Sequence, residues 1–251
     1  MAKKPSSDRR AVVEQMRAAQ KGAERSRGLA IVGVCVAVAL AIVGSALWFG
    51  SGVPYVSKNW YDSREFDKLA LEEIGAPASA CGEITTQPAQ GNQDHVPAGT
   101  FLVYPDAPPA FGKHYDVWDS MERKFYTADD RPDVGELVHN LEHGFTILWY
   151  DETAAADKSM MDDIEAIATK YKGTDNLRLK FKAVPWLKKD GKPFPDGQHI
   201  AFTHWSKGGT GEGATGEQVG VWQYCSAPSG AAVKDFMAKY PYVDSPEPDA
   251  V

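Results

Sequence analysis

Residues 138–144 hold the densest group of side chains in this chain that could bind a metal. Two imidazoles, His139 and His143, lie four positions apart, and Glu142 directly precedes the second. On a helix, positions i and i+4 share one face, so both rings could reach a single ion. Gly144 is a natural helix end, and the apolar run 145–150 that follows predicts a buried strand. The pattern predicts a rigidly held site where a helix meets a strand.

Two other interpretations of the same residues remain open. The order His139-x-x-Glu142-His143 matches the H-x-x-E-H motif of inverted zinc peptidases, in which the histidines bind Zn²⁺ and the glutamate activates water. That chemistry needs a continuous helix and a third ligand from a later helix, whereas Gly144 and a strand-like segment follow here. A zinc hydrolase therefore ranks last. The structural alternative is that the histidines serve only as hydrogen-bonding residues, as we expect for His199 and His204.

An apolar segment indicates the compartment. Residues 29–49 are 21 positions without a formal charge, enough to cross a hydrocarbon core of ~30 Å. Residues 1–28 form a basic tail with eight basic and three acidic side chains, a net +5 that predicts a cytoplasmic N-terminus. The whole chain carries −7, so the rest carries −12 and is predicted to lie outside the cytoplasm. We predict a single-pass anchor in the lipid bilayer; signal-peptide cleavage after 44–46 is the alternative.

Charge and cysteines constrain the exterior part further. Its acidic balance argues against nucleic acid as a partner. Cys81 and Cys225 are the two cysteines beyond the apolar segment, and an oxidising exterior favours a disulfide between them. The alternative is that one or both cysteines help to bind metal, which no Cys-x-x-Cys spacing supports.

The exterior part is predicted to form one α+β domain. We expect a juxtamembrane helix at 50–76, the domain at 77–243 and a flexible acidic tail at 244–251. Periodicity predicts the following elements: strands at 100–104, 177–184 and 199–205, helices at 154–171 and 229–240, a turn-rich hairpin at 188–196, and a glycine-rich loop at 207–220. This order suggests helices against one face of a small sheet. A thioredoxin-like fold is the alternative.

Several motifs together resemble a known family. They are Asp94-His95-Val96, the segment 104–114 that ends at His114, residues 138–144, Trp205, and Pro246-Glu247-Pro248. The chain is similar over about residues 70–250 to the actinobacterial and archaeal proteins called the domain of unknown function 3105 family. Its usual Pro-Pro-x-Ser-Gly-x-His segment has Phe111 at the serine position here, which weakens any case for a nucleophilic serine. The resemblance implies a membrane-anchored exterior domain and no activity.

The matching residues are disproportionately histidines, and this extends the predicted site. We expect His139 and His143 to bind one copper or zinc ion together with His114, with His95 as a further candidate ligand. Glu142 is expected to orient an imidazole. The predicted function is a metal-binding module or carrier, or an accessory role beside a larger membrane protein complex. The alternative is a purely structural accessory subunit.

Overall fold

The structure is a computed structural model that describes residues 66–89, 93–210 and 214–250. The predicted basic tail, the apolar segment 29–49 and residues 50–65 of the expected juxtamembrane helix lie outside these ranges. Within the described ranges, no helix is both long enough and apolar enough to span a bilayer. In the described part of the expected juxtamembrane helix, Phe66 is helical and a 3-10 turn lies at Leu71–Glu73.

A five-stranded mixed sheet forms the centre of the domain. Its strands are β1 (Thr85–Pro88), β4 (Thr146–Tyr150), β5 (Phe181–Pro185), β6 (Ile200–Ser206) and β7 (Val219–Cys225), in the spatial order β1-β7-β6-β4-β5. β4 and β5 run parallel, whereas β6 is antiparallel to β4 and to β7. A separate two-stranded parallel ribbon joins β2 (His95–Val96) to β3 (His114–Tyr115).

Within the described ranges, four α-helices accompany the sheet: α1 (Val134–Glu142), α2 (Glu152–Ala156), α3 (Lys158–Thr169) and α4 (Gly230–Lys239). A single helix was expected at 154–171, but two helices meet at Asp157 instead. The Asp157 side chain accepts hydrogen bonds from the backbone N–H groups of Ser159 and Met160, so it caps α3 and ends α2. The α4 helix begins in the same way at Ser229.

Helices cover both faces of the sheet, which corrects the expectation of one covered face. On one face, Leu148 and Phe202 pack with residues of α3 and α4 such as Ile164 and Phe236. On the other face, Trp149, Ala201 and Trp205 pack with Leu137 and Leu141 of α1. Strands β4, β5 and β6 are buried at every position, so both faces need cover. The mixed α+β class is confirmed, and the thioredoxin-like alternative stays a prediction.

The strand pairing differs from the expected hairpin. Strands β5 and β6 were expected to be joined at 188–196 as neighbours, yet β4 lies between them and pairs with both. The strand expected at 100–104 is irregular, and the one expected at 177–184 begins as a 3-10 turn at Leu177–Leu179. β1 and β7 were not predicted, because the residues of β1 and the glycine-rich approach to β7 resemble loops.

Both ends of the described domain are fastened to the sheet. Cys81 and Cys225 form a disulfide that joins the start of the domain to the end of β7, as the sequence predicts. The expected acidic tail at 244–251 begins with packed residues, since Asp244 and Ser245 are buried, whereas Glu247 and Asp249 are exposed. The buried Lys180 ammonium group donates to the backbone carbonyls of Pro248 and Ala250. These bonds explain why an acidic C-terminus lies against the domain.

Candidate metal centre

Helix α1 positions His139 at the centre of the site. Its Nδ1 lies 2.7 Å from the carbonyl oxygen of Tyr115 in β3 and donates to it, which leaves Nε2 as the nitrogen able to bind an ion. The ring of Tyr115 reaches this place because position 135 is a glycine. A Cβ there would come within 2.9 Å of the Tyr115 ring. Gly135 therefore lets β3 approach α1 closely enough to fix the His139 ring.

The β2–β3 ribbon supplies two more imidazoles. His95 and His114 are paired directly across the ribbon, so their side chains lie next to each other. The Nδ1–H of His114 donates to the carbonyl oxygen of Gly112 at 2.8 Å. As in His139, this bond leaves Nε2 as the nitrogen of His114 that could bind an ion.

These three rings meet Glu142 from the last turn of α1. The ring centroids of His95, His114 and His139 are 4.6–4.8 Å apart. One donor atom from each ring and one Glu142 oxygen all lie within 4.8 Å of one another. Oε2 of Glu142 is 2.9 Å from Nε2 of His114 and 3.6 Å from Nε2 of His95. The four residues form a compact set of three nitrogen donors and one oxygen donor.

Three of the four donor residues are shielded from solvent. His114, His139 and Glu142 are buried, whereas the His95 side chain is 40% exposed. Solvent therefore reaches the cluster at His95.

A chain of hydrogen bonds orients the Glu142 carboxylate. The Gln93 amide donates to Oε1 at 2.8 Å, and Gln218 donates in turn to the Gln93 side-chain oxygen at 2.9 Å. The indole N–H of Trp205 donates to Gln218 at 2.9 Å. The chain occupies Oε1 and leaves Oε2 directed at the imidazoles, a supporting arrangement typical of metal-binding carboxylates.

The electrostatics favour a cation. Nε2 of His114 and Oε2 of Glu142 are buried, and neither has a hydrogen-bond partner of acceptable geometry among the described residues. Burial lowers the pKa of His139, so the ring is neutral and able to coordinate at neutral pH. Burial opposes ionisation of Glu142, but the neighbouring His114 and Gln93 lower the pKa of its carboxyl below the usual value. The site thus presents a neutral His139 ring beside a carboxyl group whose ionised form is favoured.

His143 belongs to a second, adjacent group of donors. Its ring lies 4.4 Å from that of His139 between centroids, but its donor atom groups with Glu142 and Glu247 and not with the other imidazoles. The i,i+4 spacing therefore keeps the pair adjacent without placing both in one group. Burial, with the neighbouring His139 acting in the same direction, lowers the pKa of His143 to about 3, so this ring is neutral as well.

Asn140 fixes the wall beside both rings. Its side-chain amide donates to the carbonyl oxygen of Asp119 at 2.8 Å and accepts from the Asp119 N–H at 3.2 Å. These two hydrogen bonds to the backbone of Asp119 hold the neighbouring Trp118 in place. The Trp118 ring lies 5.0 Å from the ring of His139 and 4.8 Å from that of His143 between centroids. A residue without metal-binding chemistry thus orders the site.

The two remaining histidines lie outside both groups. His199 accompanies Asp151, with Nδ1 2.9 Å from Oδ2, and is partly exposed. His204 is buried against the backbone carbonyl oxygens of Phe145 and Asp244. Both were expected to be hydrogen-bonded residues, and the structure confirms it.

Sequence reasoning missed the supporting residues. Gln93, Gln218 and Trp118 carry no motif that would connect them with the histidines. Glu247 stood within one of the resembling segments, Pro246-Glu247-Pro248, but was assigned to a solvated tail. Its role depends on a contact over more than a hundred residues that no local pattern shows.

The geometry departs from that of an inverted zinc peptidase. There the two histidines of the motif share one ion and the glutamate stays free to activate water. Here His139 and His143 fall into different groups, and Glu142 is a donor in both. Helix α1 also ends at Glu142, inside the motif.

Comparisons with known proteins agree with the family resemblance. No curated protein and no solved structure matches the chain. The family described as "Protein of unknown function (DUF3105)" matches residues 95–251, which includes all four residues of the histidine and glutamate cluster. Because this match covers more than half of the sequence, the chain belongs to the DUF3105 family.

Proposed function

We propose that the domain binds one transition-metal ion, Zn²⁺ or Cu²⁺, through His95, His114, His139 and Glu142. The convergence of these four donors within 4.8 Å is the observation that carries the proposal. Imidazole nitrogen and carboxylate oxygen suit both ions. Two of the rings already donate Nδ1–H to backbone carbonyl groups, the usual arrangement of metal-binding histidines.

A purely structural role for the histidines leaves the contact between His114 and Glu142 unexplained. Nε2 of His114 lies 2.9 Å from Oε2 of Glu142, yet neither buried atom has a hydrogen-bond partner of acceptable geometry among the described residues. A buried polar atom without a partner costs about 1–3 kcal/mol. A cation bound by both atoms would remove this cost. This argument favours metal binding over the structural alternative.

The number of protein ligands favours binding over catalysis. Structural zinc sites are filled by four protein ligands, whereas catalytic ones keep a position for water. Three imidazoles and one carboxylate can fill a tetrahedral site. We therefore place a metal-binding module or carrier before a zinc hydrolase. Anchored by residues 29–49, such a module would serve a larger membrane protein complex from the exterior side.

A metal titration of the full-length chain tests this proposal. Metal-free protein should bind Zn²⁺ or Cu²⁺ tightly, and His139→Ala should weaken binding at least about 100-fold. The matched control is His199→Ala, which removes a histidine outside both groups and should leave the affinity unchanged. Equal affinity in the two variants would contradict the proposed site. Circular dichroism of each metal-free variant checks that the fold persists.

A further inference from the structure

A second set of donors lies at the C-terminal end of α1. Donor atoms of Glu142, His143 and Glu247 lie within 4.8 Å of one another. Nε2 of His143 is 3.7 Å from Oε2 of Glu247. The set shares Glu142 with the first site and adds two residues that the first site does not use.

Hydrogen bonds of the C-terminal segment place Glu247 beside His143. Its backbone N–H donates to the carbonyl oxygen of Glu142 at 3.0 Å. Lys180 donates to the carbonyl oxygen of His143 and to those of Pro248 and Ala250, each at 2.7 Å. One buried ammonium group therefore joins the C-terminal segment to the end of α1. The Glu247 carboxylate is held beside His143 by backbone contacts and needs no ion to arrive there.

His143 points to a ligand independently of these distances. The residue is buried, yet its Nδ1 has no hydrogen-bond partner among the residues that the structure describes. Buried imidazole nitrogens are normally bonded. Its Nε2 faces a carboxylate at a distance longer than a hydrogen bond. A buried imidazole grouped with two carboxylates, with one nitrogen unpaired among the described residues, has the composition of an unfilled coordination site.

We propose that Glu142, His143 and Glu247 bind a second divalent cation next to the first, with the Glu142 carboxylate shared between the two. The inference rests on the proposed function, because the shared carboxylate joins the sites. One nitrogen and two oxygen donors suit Zn²⁺ or Mn²⁺ better than Cu⁺. Three protein ligands leave at least one coordination position for water or an exogenous ligand, which the four-donor first site does not.

Zinc stoichiometry of the full-length chain tests the second site. The probe is Zn²⁺ alone, at buffered free concentrations in equilibrium dialysis, with bound metal measured by mass spectrometry. Wild-type protein should bind two ions. Glu247→Gln keeps the size of a half-exposed side chain and should weaken the second ion at least about 10-fold while leaving the first. Asp249→Asn, an exposed acid of the same segment, should still bind two ions.

The reciprocal variant separates the two sites. His95 belongs only to the first group and is partly exposed, so His95→Ala should weaken the first ion and leave the Glu247-dependent one. A wild-type protein that binds one ion, unaffected by Glu247→Gln, overturns the second site and leaves the first standing. Loss of all zinc in a folded Glu247→Gln variant also overturns it, since Glu247 would then belong to a single shared site. Wild-type protein that binds no zinc refutes both.

Discussion

Five of the six residues from 139 to 144 form or position the two donor groups. His139 belongs to the first donor group and His143 to the second, and Glu142 belongs to both. Asn140 holds the backbone at Asp119, which positions Trp118. Gly144 turns the chain from α1 into β4 with a φ of +88°, where a side chain would be strained. The segment therefore combines binding groups with the groups that position them.

Gly144→Ala should destabilise the domain by more than about 2 kcal/mol. The positive φ is unfavourable for alanine, and the added Cβ would lie 2.4 Å from the carbonyl oxygen of Tyr242 in the C-terminal segment. Gly197→Ala is the matched control, because φ there is +72° and no atom lies within 4 Å of the added Cβ. It should cost only about 1 kcal/mol. Equal losses in urea denaturation would show that the contact with Tyr242 is unimportant.

At the scale of a single element, helix α3 carries a buried carboxyl group, that of Asp163. Asp163 is on the covered side of this helix, and its Oδ1 has no hydrogen-bond partner among the described residues. Burial, together with the charges of Asp162 and Asp157, raises the pKa of Asp163 to about 7. The folded state therefore holds this proton more tightly than the unfolded state. Stability contributed by the protonated form is present at low pH and is lost as pH rises from about 4 through 7.

Asp163→Asn should remove that pH dependence. We expect the variant to be more stable than wild type at pH 8 by roughly 1–3 kcal/mol, since each unit of pKa shift corresponds to about 1.4 kcal/mol. At pH 4 the two proteins should be nearly equal, because the wild-type carboxyl is then protonated in the folded state. Glu165→Gln, at an exposed position of the same helix, should change neither value. Thermal unfolding at both pH values decides the matter.

At the scale of the whole molecule, the disulfide and the apolar segment both support a location of the domain outside the cytoplasm. A disulfide between Cys81 and Cys225 joins residues 144 positions apart and persists in oxidising compartments. The uncharged segment 29–49 follows a tail of net charge +5, and from this we propose a single-pass anchor with the domain outside. Neither argument depends on the metal.

Protease added to intact spheroplasts should therefore digest the domain, while residues 1–28 stay protected in the cytoplasm. Lysed spheroplasts are the control, because protease should then reach both sides. Full protection of residues 66–250 in intact cells would refute the proposed orientation. Release of a soluble form that begins near Ala46 would instead indicate a cleaved signal peptide.

The sequence by itself was sufficient for features that depend on neighbouring residues. The spacing of His139 and His143, the glycine after them and the apolar run of β4 together predicted a helix, its end and a buried strand. Helical periodicity likewise predicted α4 and most of α3, because the apolar face of each helix repeats within a few residues. The disulfide followed from the count of cysteines and the expected compartment.

The tertiary structure decided what depends on distant contacts. β7 and β1 have little periodic signal and are recognisable only as partners in the sheet. Local pattern could not reveal that β4 separates β5 from β6, since strand order reflects pairing across the whole chain. The same holds for the site. Spacing on one helix suggested that His139 and His143 share an ion, but the β2–β3 ribbon brings His95 and His114 to His139, and the C-terminal segment brings Glu247 to His143.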